Sequence, residues 1–146
     1  MSSKQFMRYS EFAGKEAPFQ DHVDMRYDPG EDGRPRMVLD IQPNHLNTGK
    51  VLHGGMVMTL LDVAMSASCN ASDPQRRATV TIELKVNFLR PGGCNGDRVI
   101  ASGNVRHITR SFAFCDGELR KAANGELLAT GSGTFKFVSP SRSAGD

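Results

Sequence analysis

The chain has 146 residues, enough for one domain with a substantial hydrophobic core. At 38% hydrophobic and 23% charged residues, its composition excludes intrinsic disorder and a membrane-embedded chain. The net charge of +2 comes from scattered Lys and Arg rather than a basic stripe, which argues against nucleic acid as a partner.

The N-terminus, Met1 to Phe6, lacks the apolar run of a signal peptide, so a cytoplasmic protein is expected. Phe6, Tyr9 and Ala13 recur at helical spacing and predict a short helix within residues 2–17. Two short strands are predicted over 22–28 and 35–42, separated by the turn-rich run Asp28-Pro29-Gly30-Glu31-Asp32-Gly33. In the second strand Met37, Leu39 and Ile41 alternate with Val38, Asp40 and Gln42, so one face is expected to be buried. Pro43 to Leu52 reads as a loop. A helix is then predicted over 54–71, ended by Ser72-Asp73-Pro74. On a helical wheel Thr59, Asp62, Ser66 and Asn70 share one narrow arc, and apolar residues from Met56 to Ala67 surround it. The helix is therefore expected to be buried on most sides with one thin polar stripe. Those polar interruptions also keep it from spanning a bilayer. Asp62 is the only charged residue between Lys50 and Asp73, and a lone acid in an apolar helix is costly to ionise unless solvated or paired.

From Val80 the pattern is β. Val80, Ile82, Leu84, Val86 and Phe88 alternate with Thr81, Glu83, Lys85 and Asn87. Further strands are predicted over 98–107, 111–120 and 126–138, with a hairpin turn at Asn124-Gly125. Residues 139–146 read as a frayed, disordered tail. Short links favour antiparallel pairing. The expected class is α+β, a curved antiparallel sheet wrapped around one central helix. A helix covered so completely also points to a partner chain. Cys69, Cys94 and Cys115 are far apart without metal-ligand spacing, so no metal is expected. They read as reduced, mostly buried thiols, with a nucleophilic cysteine as the minority alternative.

The string Asn44-His45-Leu46-Asn47-Thr48-Gly49-Lys50-Val51-Leu52-His53-Gly54-Gly55, with Asp62 beyond it, resembles the hotdog-fold acyl-CoA thioesterases. Within them it is most similar to the phenylacetate-pathway (PaaI-like) group. Val86 to Gly92 and Gly125 to Ala129 extend the resemblance over about residues 18–138. Two features depart from the family pattern. Gly49 stands one place early between the asparagine and the histidine, and Ile108-Thr109 precedes Arg110 where relatives carry a glycine. The resemblance implies a single hotdog domain over 1–146, with 1–17 as an N-terminal extension. It also implies an acyl-CoA substrate, no cofactor, and a homodimer with composite active sites, itself part of a dimer of dimers. No nucleic-acid or membrane partner is implied.

Thioester hydrolysis needs an activated water or a nucleophile, and donors for the developing oxyanion. Gly54 and Gly55 open the helix, where amides lack intrahelical partners and the dipole favours negative charge. The Gly54 amide is the candidate oxyanion donor; the alternative is a tight loop-to-helix turn. Asp62 is the candidate general base or carboxylate nucleophile; the alternative is an acid capping a backbone group or paired across an interface. Asn47 is a candidate to orient water or the substrate carbonyl, or else a turn residue. His53 either bonds near the thioester or braces the turn. Thr81 either holds a water near the acid or is an ordinary strand threonine. Gly55, Arg90 and Arg110 are the candidate substrate contacts, Arg110 for the CoA phosphates. Asp62 lies eight residues beyond Gly54, which is about 12 Å at ~1.5 Å per residue. No side chain closes that gap, so Asp62 is expected to serve the oxyanion site of a partner chain. Two other readings keep the fold: a hydratase or dehydratase, and a non-catalytic acyl-CoA-binding module. The proline-rich loop of the former is missing here, and loss of the acid would mark the latter.

Overall fold

The computed structural model describes residues 6–139. In chain order the elements are β1 (Met7–Arg8), α1 (Tyr9–Ala13), α2 (Pro18–His22), β2 (Arg26–Asp28), β3 (Arg36–Asp40), a 3-10 turn (Pro43–His45), α3 (Gly54–Ser72), β4 (Ala78–Phe88), β5 (Arg98–Ile108), β6 (Phe112–Lys121) and β7 (Leu127–Val138). The strands form one antiparallel sheet of order β1-β2-β3-β5-β6-β7-β4. That leaves β4, eleven residues long, as a free edge among the described residues.

The sheet packs against α3. Its Met56, Val57, Leu60, Leu61, Ala64 and Met65 are buried, as are Leu39, Val99, Ala101, Leu119 and Phe135 of the strands around it. The close approach rests on a row of glycines. Gly103 pairs with Gly117, and Gly117 with Gly131, across three strands. A Cβ on Gly103 would lie 2.7 Å from Ser68 Oγ and 3.0 Å from the Met65 Cα. One on Gly117 would meet the Met65 side chain at 3.0 Å. The glycines thus make the trough in which Met65 lies, and the helix sits one side-chain layer closer than an alternating strand would allow. At its C-terminus α3 stops where Asp73 turns extended, ahead of Pro74. Asp73 is buried and takes the Arg77 Nε at 2.9 Å and its backbone N–H at 2.8 Å.

The helix and the last three strands follow the expected ranges within one residue, and β4 begins two residues before the expected Val80. The N-terminal part differs. The expected strand over 22–28 is β2 alone, preceded by α2. Pro18 at the first helical position presets a helical φ, and Asp24 at φ +60° breaks the backbone before β2 starts. The short alternation of Val23, Met25 and Tyr27 resembles a strand without showing this break. The first helix covers only Tyr9–Ala13, because Gly14 in the left-handed region closes it. Residues 2–5 of that expectation, and residues 140–146 of the expected tail, lie outside the described residues. Gly125 has φ +73°, but the loop between β6 and β7 is wider than a two-residue hairpin. Cys69 and Cys115 are buried, whereas Cys94 is exposed, against expectation. It lies in the loop after Pro91-Gly92-Gly93, where its backbone N–H donates to Asp97 Oδ2 at 3.0 Å.

Candidate active site

The start of α3 is built by His53. Its extended backbone makes it the N-cap, and its ring Nδ1 accepts the Gly55 N–H at 2.8 Å. The Met56 and Val57 N–H groups bond the His53 carbonyl at 2.9 and 3.2 Å. The Gly54 N–H alone is left without a partner among the described residues. The Gly55 amide, also a candidate contact, is already taken by His53. The histidine braces the turn, and its Nδ1 cannot also act on a ligand. A Cβ at Gly54 would touch only the Phe88 ring at 3.6 Å, so the amide sits under the last aromatic of β4.

Around that amide is a surface cleft of about 410 Å³ lined by Asn47, Gly54, Phe88 and Arg90. The Asn47 Oδ1 accepts the Gly49 and Val51 amides at 2.9 and 3.2 Å, forming a side-chain-closed turn. A Cβ at Gly49 would crowd Asn47 Oδ1 at 3.3 Å, so a glycine suits the turn that its amide closes. The Asn47 oxygen is committed to the loop, and only its Nδ2 is left for a ligand. Arg90 donates to the Leu127 carbonyl at 2.9 Å and lies 3.7 Å from Glu126, so part of its hydrogen-bonding capacity is used within the chain. A larger cleft, about 680 Å³ between residues 31–36 and β5–β6, contains none of the candidate site residues.

Asp62 lies on the predicted polar stripe, partly exposed, and faces β4. Thr81 Oγ1 donates to its Oδ1 at 2.6 Å. Thr81 therefore bonds the acid directly. It stands beside a bulge between Thr81 and Glu83, where β4 slips register against β7. The rest of the stripe is satisfied by β4, by the loop before it and by α3 itself. Ser66 Oγ meets Thr79 Oγ1 at 2.7 Å, Asn70 holds the Arg76 and Arg77 carbonyls at 2.9 Å, and Thr59 donates to the Gly55 carbonyl at 2.8 Å. A further residue near the acid was invisible in the sequence. Burial, and then the Asp62 charge, raise the Tyr9 phenol above its ordinary pKa, so it stays protonated beside the carboxylate. Its ring meets Phe12 edge-on at 5.7 Å, and Phe12 stacks on Tyr27 at 3.8 Å. Helical spacing marked Tyr9, but nothing in the sequence says that the sheet carries it towards α3.

The candidates thus fall into three places. Asn47, His53, Gly54, Gly55 and Arg90 gather at the start of α3. Asp62 and Thr81 meet halfway along it. Arg110 is separate, on the β5–β6 turn, with its carbonyl bonded by Arg77 at 3.0 Å near the helix C-terminus. The buried Cys115 thiol is unsuited to nucleophilic work. Cys115 is pushed far above its ordinary value by its hydrogen bond with Cys69 and by burial. Among the described residues no cluster of three or more His, Cys, Asp or Glu could hold a metal, and no helix is long and apolar enough to cross a membrane.

Comparison with known proteins agrees with this architecture. The crystal structure of the BH2602 protein from Bacillus halodurans, solved with CoA, superposes with a TM-score of 0.79 at 27% identity, covering 91% of this chain and 85% of that one. The acyl-coenzyme A thioesterase PaaI of Escherichia coli is 30% identical over 89 residues, 61% of each chain. The medium/long-chain acyl-CoA thioesterase YigI of the same species is 31% identical over 101 residues, 60% of this chain and 62% of that one. The matches span about three-fifths of the length of these two curated relatives. The model of the Thioesterase superfamily matches residues 49–128, from the loop glycine before α3 into the last strand. With that match over more than half its length, and with one central helix held in a curved antiparallel sheet, the chain belongs to the Thioesterase superfamily and has its hotdog fold.

Proposed function

We propose that the chain hydrolyses acyl-CoA thioesters, with an aryl or medium-chain acyl group, to free acid and CoA. It acts in the cytoplasm without a cofactor, as a homodimer within a dimer of dimers. One observation carries the reading: α3 presents an unpartnered, half-buried Gly54 amide and, eight residues on, a Thr81-bonded, half-buried Asp62 carboxylate. The amide accepts the charge that develops on the carbonyl oxygen. Asp62 takes the proton from an attacking water, or adds to the carbonyl itself to give a mixed anhydride that water then hydrolyses. Either route ends with the C–S bond broken, the thiolate protonated and the acid free. The two groups are about 12 Å apart along one helix, too far for one thioester.

A second copy of the chain closes that gap. Met58 is exposed and lies midway between Gly54 and Asp62. A dyad at Met58, with the two helices antiparallel, sets each Gly54 opposite the partner's Asp62. The surface beside it fits such pairing: β4 is a free edge with Val80, Ile82 and Phe88 exposed, the kind of edge that pairs with another strand. The relatives named as acyl-CoA thioesterases support the substrate class. Arg90 lines the cleft by Gly54, and Arg110 is exposed; both are candidate partners for the CoA phosphates. The test is thiol release from benzoyl-, phenylacetyl- and octanoyl-CoA. Wild type releases thiol, and Asp62→Asn loses ~10²–10⁴-fold in kcat, as expected for a general acid–base group. Activity surviving in Asp62→Asn contradicts the role of the acid.

A further inference from the structure

His45 is buried, and both of its ring nitrogens are occupied. Nδ1 accepts the Gln42 N–H at 3.0 Å, which leaves Nε2 to carry the proton and donate to the Val23 carbonyl at 2.8 Å. Val23 is the residue that ends α2. The ring thus ties the loop before α3 to the N-terminal helical segment. The His45 carbonyl in turn accepts the His53 N–H at 2.9 Å, and Leu46 bridges Leu52 just inside that bond. His53 is the N-cap whose ring takes the Gly55 amide and leaves the Gly54 amide free. A line of hydrogen bonds therefore runs from Val23 through His45 and His53 to the first turn of α3.

We infer that His45 is a positioning residue: by joining the end of α2 to the His53 backbone, it aims the unpartnered Gly54 amide. The inference rests on the oxyanion role proposed above. A neutral ring with one donor and one acceptor suits this place, because a second ring proton would face the Gln42 N–H. Removing the ring leaves the Val23 carbonyl and the Gln42 amide without partners and frees the loop on which His53 hangs. A donor needed only in the transition state affects kcat rather than KM.

The test uses the full chain with His45→Ala, His45→Asn and His45→Gln. The asparagine keeps an acceptor near the Nδ1 position, and the glutamine keeps a donor near Nε2. Two quantities are read: kcat and KM on an acyl-CoA the wild type cleaves, and hydrogen exchange of single amides by NMR. For His45→Ala, kcat falls towards the ~10²-fold that a misplacement of about 1 Å costs, with KM nearly unchanged. Exchange at the Gly55 amide speeds up while the Leu61 amide keeps its wild-type rate, because the opening is local. Asparagine and glutamine recover part of both, and they carry the test if the alanine variant does not fold. Unchanged kcat, or exchange that rises equally at Gly55 and Leu61, overturns the inference and makes His45 an ordinary packing residue. A wild type that cleaves no thioester overturns the hydrolase reading; the exchange comparison then still decides whether His45 sets the turn.

Discussion

At the scale of single residues, the two glycines that open α3 have different jobs, and substitution separates them. Proline is tolerated at the first helical position, and His53 before it already has the extended backbone, φ −59° and ψ 136°, that a following proline requires. Gly54→Pro therefore removes the one free amide while sparing the helix. Thiol release is expected to fall ~10²–10³-fold, the usual cost of losing an oxyanion donor, with the thermal midpoint nearly unchanged. Gly55→Ala does the reverse. Its Cβ would lie 3.0 Å from His53 Nδ1 and displace the cap, so thermal unfolding should show a loss of about 1 kcal/mol. Thr81→Val tests the hydroxyl that holds the acid. Hydrogen bonds to charged groups are worth ~1.5–3 kcal/mol, so steady-state kinetics should show kcat lower by about ten- to a hundredfold on an intact fold. The acid and the glycines were legible because residue type and spacing name them. The capping ring of His53 and the closed turn of Asn47 were not, because each residue type serves a ligand and a turn equally well. Arg90 could not be placed either, since its partners at Glu126 and Leu127 come from a remote turn.

At the scale of elements, α3 shows why pattern reading works for long segments. Nineteen residues give the wheel enough turns to expose one polar arc, and the structure satisfies every member of that arc: Asp62 and Ser66 on β4, Asn70 on the loop before it, and Thr59 on α3 itself. What the wheel cannot show is how near the sheet comes. That is set by Gly103, Gly117 and Gly131, which are adjacent only through strand register. Gly103→Ala puts a methyl against the Met65 backbone and should cost ~1–3 kcal/mol in chemical denaturation, as overpacked sites do. The five-residue α2 was missed for the opposite reason: too few residues for either period to stand out. The C-terminal end of α3 carries an acid-sensitive tie. Hydrogen bonds from Arg77 hold the Asp73 carboxyl below its ordinary pKa. Its contribution is present above the ordinary carboxylate range and is lost as pH falls through the lowered value. Urea midpoints of wild type and Asp73→Asn should therefore differ at neutral pH and converge in acid.

At the scale of the whole molecule, the central claim is that one chain is half of each site. The sequence already implied this through the rise of the helix. The structure adds the means: an exposed Met58 midway between the two groups, and the long free edge of β4 with exposed apolar residues along it. The order of the strands, which puts β4 at the edge, was not readable from the sequence, because β4 follows α3 in the chain but pairs with the last strand. The most direct measurement is complementation. Asp62→Asn and Gly54→Pro chains, each inactive alone, are co-expressed with different tags, and the mixed dimers are verified by native mass spectrometry. With shared sites, a mixed dimer has one intact site, built from the Gly54 of one chain and the Asp62 of the other. A statistical mixture then recovers about a quarter of wild-type thiol release, since half the dimers are mixed and each has one of two sites. Mixed dimers that form and release no thiol would contradict the shared site.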